Sequence, residues 1–379
     1  MGRERFLKAL IVTPYNLSIY PLTKVYTRVF EKYGISYDVV YLDRNGAEET
    51  SSAGHTFRFS LYSDNPLLRR SRKIRVLERI EYKLRLQMFK NYVEGLIKKG
   101  AYDFVALWGE DSACLFSQFV SENMAGKYSV NIRDVWNTPP QSYIDKLRSA
   151  VNHSAFNTVS SDGFIEWLPE ADYIFIHSAN EDVVRDIVRR QEERKEPPYT
   201  ILNIGTFRSD QYAFDVMDAF GNDRRFTMAY IGSGTERMEE YCRNKGYTNY
   251  ICKGRFDIGQ TAELLGCADI LNCAYGSDCI AETSKMPIRF YYAIYLGVPI
   301  LMTEGTRIAY YSDKLGMGLA LPGSFDGKTG VADAVYEKYM SIDMKKMRSG
   351  MDVFIEDIEE SHVLLEKRIC EILDVAYHD

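Results

Sequence analysis

Apolar residues in this chain gather into short runs separated by polar, amphipathic stretches, a rhythm that predicts alternating strands and helices. Residues 6–13 form an apolar, β-branched run read as a first strand. A helix follows from about Leu22 to Tyr33, ended by Gly34, and residues 37–42 make a second strand. Strand, loop, helix, strand is the opening of a doubly wound sheet, whose ligands bind beyond the carboxyl ends of the strands. Runs at 103–108, 128–132, 157–160 and 173–177 continue that half. A second alternation places strands at 200–204, 226–231, 250–253, 269–274 and 298–302, and the last 50 residues are mostly helical in pattern. The expected fold class is therefore α/β, with two doubly wound halves facing each other across a cleft. The charged, Pro-terminated stretch 191–198 reads as the linker. The expected division is 1–190, then the linker, then 199–355, with a helix at 356–379 returning to the first half.

Two stretches depart from the regular rhythm. Residues 45–66 are polar and irregular, and read as a mobile loop. After them Leu77, Ile80, Leu84 and Met88 repeat at helical spacing, with Arg72, Arg75, Arg79 and Lys83 on an adjoining stripe. Two readings stand side by side. The apolar stripe packs on the protein's own sheet and the cations are solvated, or the helix is a surface for anionic lipid or a lipid-diphosphate acceptor.

The stretch 284–304, S-K-M-P-I-R-F-Y-Y-A-I-Y-L-G-V-P-I-L-M-T-E, reads as a loop, a short helix and a buried strand. Pro287 suits a helix start because it lacks an N–H that would be unpaired there, and Gly297 ends the helix. Lys285 and Arg289 put two cations at the positive end of the helix dipole. That is an anion site, and in α/β proteins a diphosphate is its usual occupant.

Composition narrows the class. The 379 residues, 46% hydrophobic and 26% charged, suffice for two full cores. No apolar run approaches the ~20 residues of a membrane span, and the expected location is cytoplasmic, with peripheral contact at the inner membrane face. The net charge of −6 disfavours nucleic acid as a partner. Residues 69–99 alone carry eleven Lys and Arg against three acids, a local +8 that leaves the rest at −14. Seven cysteines without a C-x-x-C pair read as buried free thiols, and no metal site is expected. The first loop lacks G-x-G-x-x-G, which disfavours a dehydrogenase.

Candidate chemistry lies at strand ends. Gly205 precedes Arg208, whose guanidinium suits a phosphate. Gly232 and Gly234 precede a helix, which lets backbone N–H groups approach an anion. Gly254 precedes Arg255 and Phe256. In the first half, Glu110, Asp111, Arg133 and Asp134 follow strands. For Asp111 and Ser112, helix capping is an equal alternative.

The landmarks Y-I-G-S-G-T-E-R-M-E, I-C-K-G-R-F-D, E-L-L-G-C-A-D-I-L-N-C-A-Y and K-M-P-I-R-F-Y-Y-A-I-Y-L-G-V-P-I resemble the carboxyl-terminal domain of glycosyltransferase family 4, of the GT-B fold with two Rossmann-like domains. V-N-I-R-D-V-W and F-N-T-V-S-S-D-G-F-I-E-W-L-P look like segments of members that build bacterial surface polysaccharides. The resemblance implies a hexosyltransferase using a nucleotide-diphosphate sugar, a UDP-sugar first, and a glycan or lipid-linked acceptor, with retention of configuration and no cofactor. The absence of D-x-D fits a metal-independent donor site. By resemblance Arg208, Lys285 and Arg289 hold the donor diphosphate. Gly205, Gly232, Gly234, Arg255 and Phe256 lie at the nucleotide, and Glu282 lies near the donor sugar. Asp134, Glu110 and Asp111 face the acceptor. Family members carry a ribose-binding Glu one turn past the phosphate-binding cation, and here that position is Tyr292, which otherwise reads as core. Two further readings stay open: a nucleotide-sugar epimerase, for which only His177 sits at a strand end, and a non-catalytic GT-B-like partner subunit. Oligomeric state is not legible.

Overall fold

The computed structural model describes residues 6–19, 23–46, 48–52, 54–62, 74–190, 194–207 and 210–378. The chain divides into two compact units, Met1–Ile176 with Ser361–Asp379, and His177–Glu360. In the first, strands β1 (Lys8–Thr13), β2 (Ser36–Asp43), β3 (His55–Ser60), β4 (Phe104–Trp108), β5 (Tyr128–Ile132), β6 (Phe156–Val159) and β7 (Tyr173–Phe175) pair in the order β3-β2-β1-β4-β5-β6-β7. In the second, β8 (Tyr199–Ile204), β9 (Phe226–Ile231), β10 (Tyr250–Lys253), β11 (Ile270–Asn272), β12 (Ile300–Thr303) and β13 (Gly318–Leu321) pair as β10-β9-β8-β11-β12-β13. All described pairings are parallel. Each sheet reverses its winding once, between β1 and β4 and between β8 and β11, and those switch points open the crevices in which such sheets bind ligands.

Burial explains the continuous apolar runs. Strands β4 and β5 are buried throughout, because helices cover both faces of a parallel sheet. One face of the first sheet packs Leu10, Val12, Val105 and Leu107 against Phe89, Val93 and Phe116. The other packs Ile11, Phe104 and Trp108 against Tyr26, Phe30, Leu365 and Ile369. All four of the latter come from helices at opposite ends of the chain, Lys24–Lys32 and Met344–Leu373. Each such aliphatic or aromatic side chain contributes roughly 1.5–3 kcal/mol by leaving water.

The structure corrects several expectations. The segment 45–66 contains β3, whose T-F-R-F alternation pairs in register with β2 from Asp38↔His55 to Asp43↔Ser60. Its polar appearance arises because an edge strand is only half covered. The thiols are all free, but Cys267 is exposed rather than buried. The basic segment forms the helix Arg75–Gly100, yet Leu77, Ile80, Leu84 and Met88 do not pack on the sheet. They are exposed, Leu84 by 62%. The face that packs carries Phe89, Val93 and Ile97, offset around the helix and towards its carboxyl end. Arg75, Arg79 and Lys83 are exposed too, whereas Arg72 lies outside the described residues. Neither Asp111 nor Ser112 caps the helix Glu110–Asn123. Its N-cap is Gly109 at φ 90°, so both fall inside the first turn, and the Ser112 hydroxyl donates to the Trp108 carbonyl at 3.0 Å.

Candidate functional site

The helix Ile288–Leu296 starts after Pro287, an extended N-cap, and ends at Gly297 in the left-handed region at φ 75°. It is apolar nearly all round, so it is buried, and its first turn carries Arg289 inward with it. Arg289 is only 6% exposed. Its Nη1 donates to the Asn203 Oδ1 and its Nη2 to the Tyr275 hydroxyl. The same Tyr275 ring lies under the Lys285 ammonium, 3.5 Å from Nζ to the centroid, with the Arg289 guanidinium carbon at 5.0 Å. Two cations thus converge on one aromatic face.

Both charges line a cavity of about 260 Å³ shared with Asn203, Thr206, Asn272 and Tyr275. Asn203 is the penultimate residue of β8 and Asn272 the last of β11, so the cavity opens at the switch point of the second sheet. Among the described residues no carboxylate lies within 4 Å of the Arg289 guanidinium. Its partners are neutral oxygens. A buried charge without a counterion carries a desolvation cost of several kcal/mol, which an arriving anion offsets.

The glycines at the strand ends have a backbone role. Gly232 adopts φ 141°, and a Cβ there would stand 1.8 Å from the Gly205 carbonyl oxygen. Gly234 adopts φ 87°, with the Phe207 carbonyl 2.6 Å from an added Cβ. The two loops are laced together by Gly205 N to Ile231 O (2.9 Å) and Phe207 N to Ser233 O (2.8 Å). Close packing of the β8 and β9 loops is what excludes side chains here.

The remaining donor-side candidates scatter. Arg255 is exposed and Phe256 half-buried after β10, and neither lines the cavity. Glu282 is half-buried in a short helix, Ile280–Ser284, again outside the lining. Tyr292 is buried on the helix Ile288–Leu296, where burial pushes its phenol up to about 12, with the Asn180 side chain beside it. Arg208 and part of the 191–198 stretch lie outside the described residues. His177 packs edge-on against Tyr291 and Phe354, with Nδ1 3.2 Å from the Tyr291 hydroxyl.

In the first unit, Glu110, Asp111 and Asp134 do come together beyond the ends of β4 and β5. Glu110 is buried, and its Oε2 accepts from the backbone N–H of Arg133 (3.4 Å) and Asp134 (3.3 Å). Burial, reinforced by the neighbouring Asp111 and Asp134 charges, pushes its carboxyl up to about 8. The Tyr15 hydroxyl donates to Asp111 Oδ2 at 2.8 Å, and Arg44 stacks over the Tyr15 ring at 4.0 Å. Exposed Trp136 stacks on Tyr143 at 4.7 Å. Several carboxyl groups beside an aromatic platform suit a hydroxyl-rich ligand.

Sequence reasoning missed Asn203, Asn272 and Tyr275. A signal was present for two of them. An asparagine at the end of an otherwise apolar strand is costly to bury, and T-I-L-N-I and I-L-N are such strands. Nothing local marks Tyr275 among 28 tyrosines.

No family model and no curated protein matches the chain. Solved structures do. Sucrose-phosphate synthase from Thermosynechococcus elongatus superposes with a TM-score of 0.66 at 11% identity, covering 96% of this chain and 99% of that one. A glycosyltransferase from Rickettsia africae gives 0.64 at 14% identity, over 98% and 100%. WaaG, a glycosyltransferase involved in lipopolysaccharide biosynthesis, gives 0.65 at 13%, over 95% and 98%. With two parallel, doubly wound units and this likeness along nearly the whole chain, the protein has the GT-B fold.

Proposed function

We propose that this protein transfers a hexosyl group from a nucleotide-diphosphate sugar, a UDP-sugar first among them, to a glycan or lipid-linked acceptor in surface polysaccharide or glycolipid assembly. The observation that carries the reading is Arg289: a buried guanidinium, held by neutral oxygens, facing a cavity it shares with Lys285. As the glycosidic bond to the diphosphate breaks, negative charge develops on the leaving oxygens. Arg289, Lys285 and the amino end of the helix Ile288–Leu296 are fixed in advance to stabilise it. Arg208 adds a third cation to the same role. The reaction is metal-independent and retains configuration, with the donor phosphate taking the acceptor proton. Asp134, Asp111 and Glu110 bind acceptor hydroxyls, and Glu282 approaches the donor sugar.

A melting panel with UDP, GDP, ADP, CDP and dTDP tests the donor class. Ligand at 100 times its dissociation constant stabilises by about 2.7 kcal/mol. One diphosphate raising the melt, with sugar transferred to acceptor in product analysis, is expected. No response to any of the five would sink the proposal.

The helix Arg75–Gly100 gives the acceptor side a lipid contact. An exposed apolar stripe beside Arg75, Arg79 and Lys83 matches the chemistry of an anionic bilayer surface. Reversing the three cations to Glu should abolish binding to anionic vesicles, and unchanged binding would rule the contact out. Tyr292 favours a second reading, a non-catalytic partner subunit, because a buried phenol replaces the acid that the resemblance places at the donor ribose. Turnover by the isolated protein would eliminate it.

A further inference from the structure

A second cavity, of about 380 Å³, lies at the opposite end of the second sheet. Among the described residues its lining includes Arg189, Arg190, Arg194, Lys195 and Arg348 against one carboxylate, Asp269. Asp269 immediately precedes β11 and accepts the Thr200 N–H at the start of β8 at 2.7 Å, while Val298 in the lining precedes β12. The cavity therefore stands at the amino-terminal ends of the strands whose carboxyl ends form the donor pocket.

Its charges are crowded. Asp269 is shared by Arg190 and Lys195, the latter at 2.6 Å. A Cβ on Gly297 would stand 3.1 Å from the Nε of both Arg189 and Arg348, so two guanidinium groups converge on one glycine. Arg189 also meets Asp352, and Arg348 Nε donates to the Gly297 carbonyl at 3.1 Å. Arg194 donates Nη2 to the Tyr339 and Ile342 carbonyls, yet its Nε is buried with no hydrogen-bond partner, and among the described residues no carboxylate lies within 4 Å of it. Helix carbonyls account for part of this cluster. They do not account for five cations around a solvent-accessible hollow that, among the described residues, one acid lines, with the buried Arg194 Nε left without a partner.

We propose that this hollow is a second anion site, separate from the donor pocket, that takes a small, multiply charged phosphate compound. Guanidinium forks from several directions suit tetrahedral oxyanions better than a single carboxylate does. The inference stands on this cavity alone and is independent of the sugar-transfer reading.

Calorimetric titration of inorganic phosphate, pyrophosphate and a hexose phosphate into the full chain, at ionic strength held constant with sodium chloride, tests it. A site that survives Arg289→Met and weakens about tenfold in Lys195→Gln is expected, from the loss of one charge-assisted contact. Arg194→Gln should weaken it further. Because Arg194 also holds two backbone carbonyls, the half-exposed Lys195 is the safer probe. Tighter binding of the hexose phosphate than of inorganic phosphate would identify a phosphomonoester ligand, and the reverse would identify free phosphate. Absence of binding, binding abolished by Arg289→Met, or binding indifferent to Lys195→Gln would each overturn the proposal.

Discussion

Arg289→Met separates a binding charge from a structural one. The guanidinium is 6% exposed and is held by the Asn203 and Tyr275 oxygens, with no carboxylate within 4 Å among the described residues. Methionine has similar length and no charge. In the ligand-free protein the substitution removes a desolvation cost of several kcal/mol. It leaves two neutral acceptors short of a donor, at about 1–3 kcal/mol each. Both line an open cavity where water reaches them, so the lower figure applies. The expected net effect on stability is within about 1 kcal/mol of zero, or stabilising. Binding responds differently. The diphosphate loses charge-assisted hydrogen bonds worth about 3 kcal/mol together, a weakening of roughly 150-fold. Urea denaturation and nucleotide-diphosphate titration of the same two proteins read the two effects. A variant destabilised by more than about 3 kcal/mol with unchanged affinity would refute the reasoning, because the charge would then be compensated inside the protein.

Three other outcomes follow from the geometry. Glu110 has a folded-state pKa raised from 4.5 to about 8, so its protonated form stabilises the fold. That contribution is complete below about pH 4.5 and is lost as pH rises through 8. It amounts to on the order of 5 kcal/mol. Glu110→Gln should flatten the pH dependence of urea denaturation between about pH 4.5 and 8, and an unaltered slope would assign it to other groups. Gly232→Ala drives a methyl group into the Gly205 carbonyl and should cost about 3 kcal/mol, whereas Gly246→Ala, left-handed but in open space, should cost only about 1 kcal/mol. Equal losses would show that backbone conformation, not the loop contact, governs Gly232. Ile80→Ser with Leu84→Ser should leave stability within about 0.5 kcal/mol per site while lowering vesicle partitioning roughly tenfold. A large drop in melting temperature would place the stripe in a packed interface instead.

The strands were legible because parallel strands buried on both faces must be continuously apolar, as L-I-V and F-V-A-L-W are in β1 and β4. Strand β3 escaped because its outer face is half exposed, and its polar residues resemble a loop. Helical spacing marked the helix Arg75–Gly100 but left open whether its stripe at Leu77, Ile80, Leu84 and Met88 packs on the sheet, and that stripe is exposed. Two apolar stripes share that helix, and periodicity cannot say which one a neighbour covers. Lys285 and Arg289 were legible because both flank one helix start.

Sequence alone thus determined what is local. It placed most of the strands, the helix bounded by Pro287 and Gly297, the cations at its start and the glycines where chain must pass close to chain. Each of these follows from backbone sterics or from a periodicity readable within about ten residues. Only the tertiary structure decided what depends on residues far apart in the chain. Asn203 and Tyr275 reach Arg289 across 86 and 14 positions, and the cations of the second cavity are gathered from 189–195 and Arg348. The charge of a site belongs to its whole surroundings. Whether Arg289 is compensated, whether Glu110 holds its proton and whether Leu84 is covered were all settled by packing.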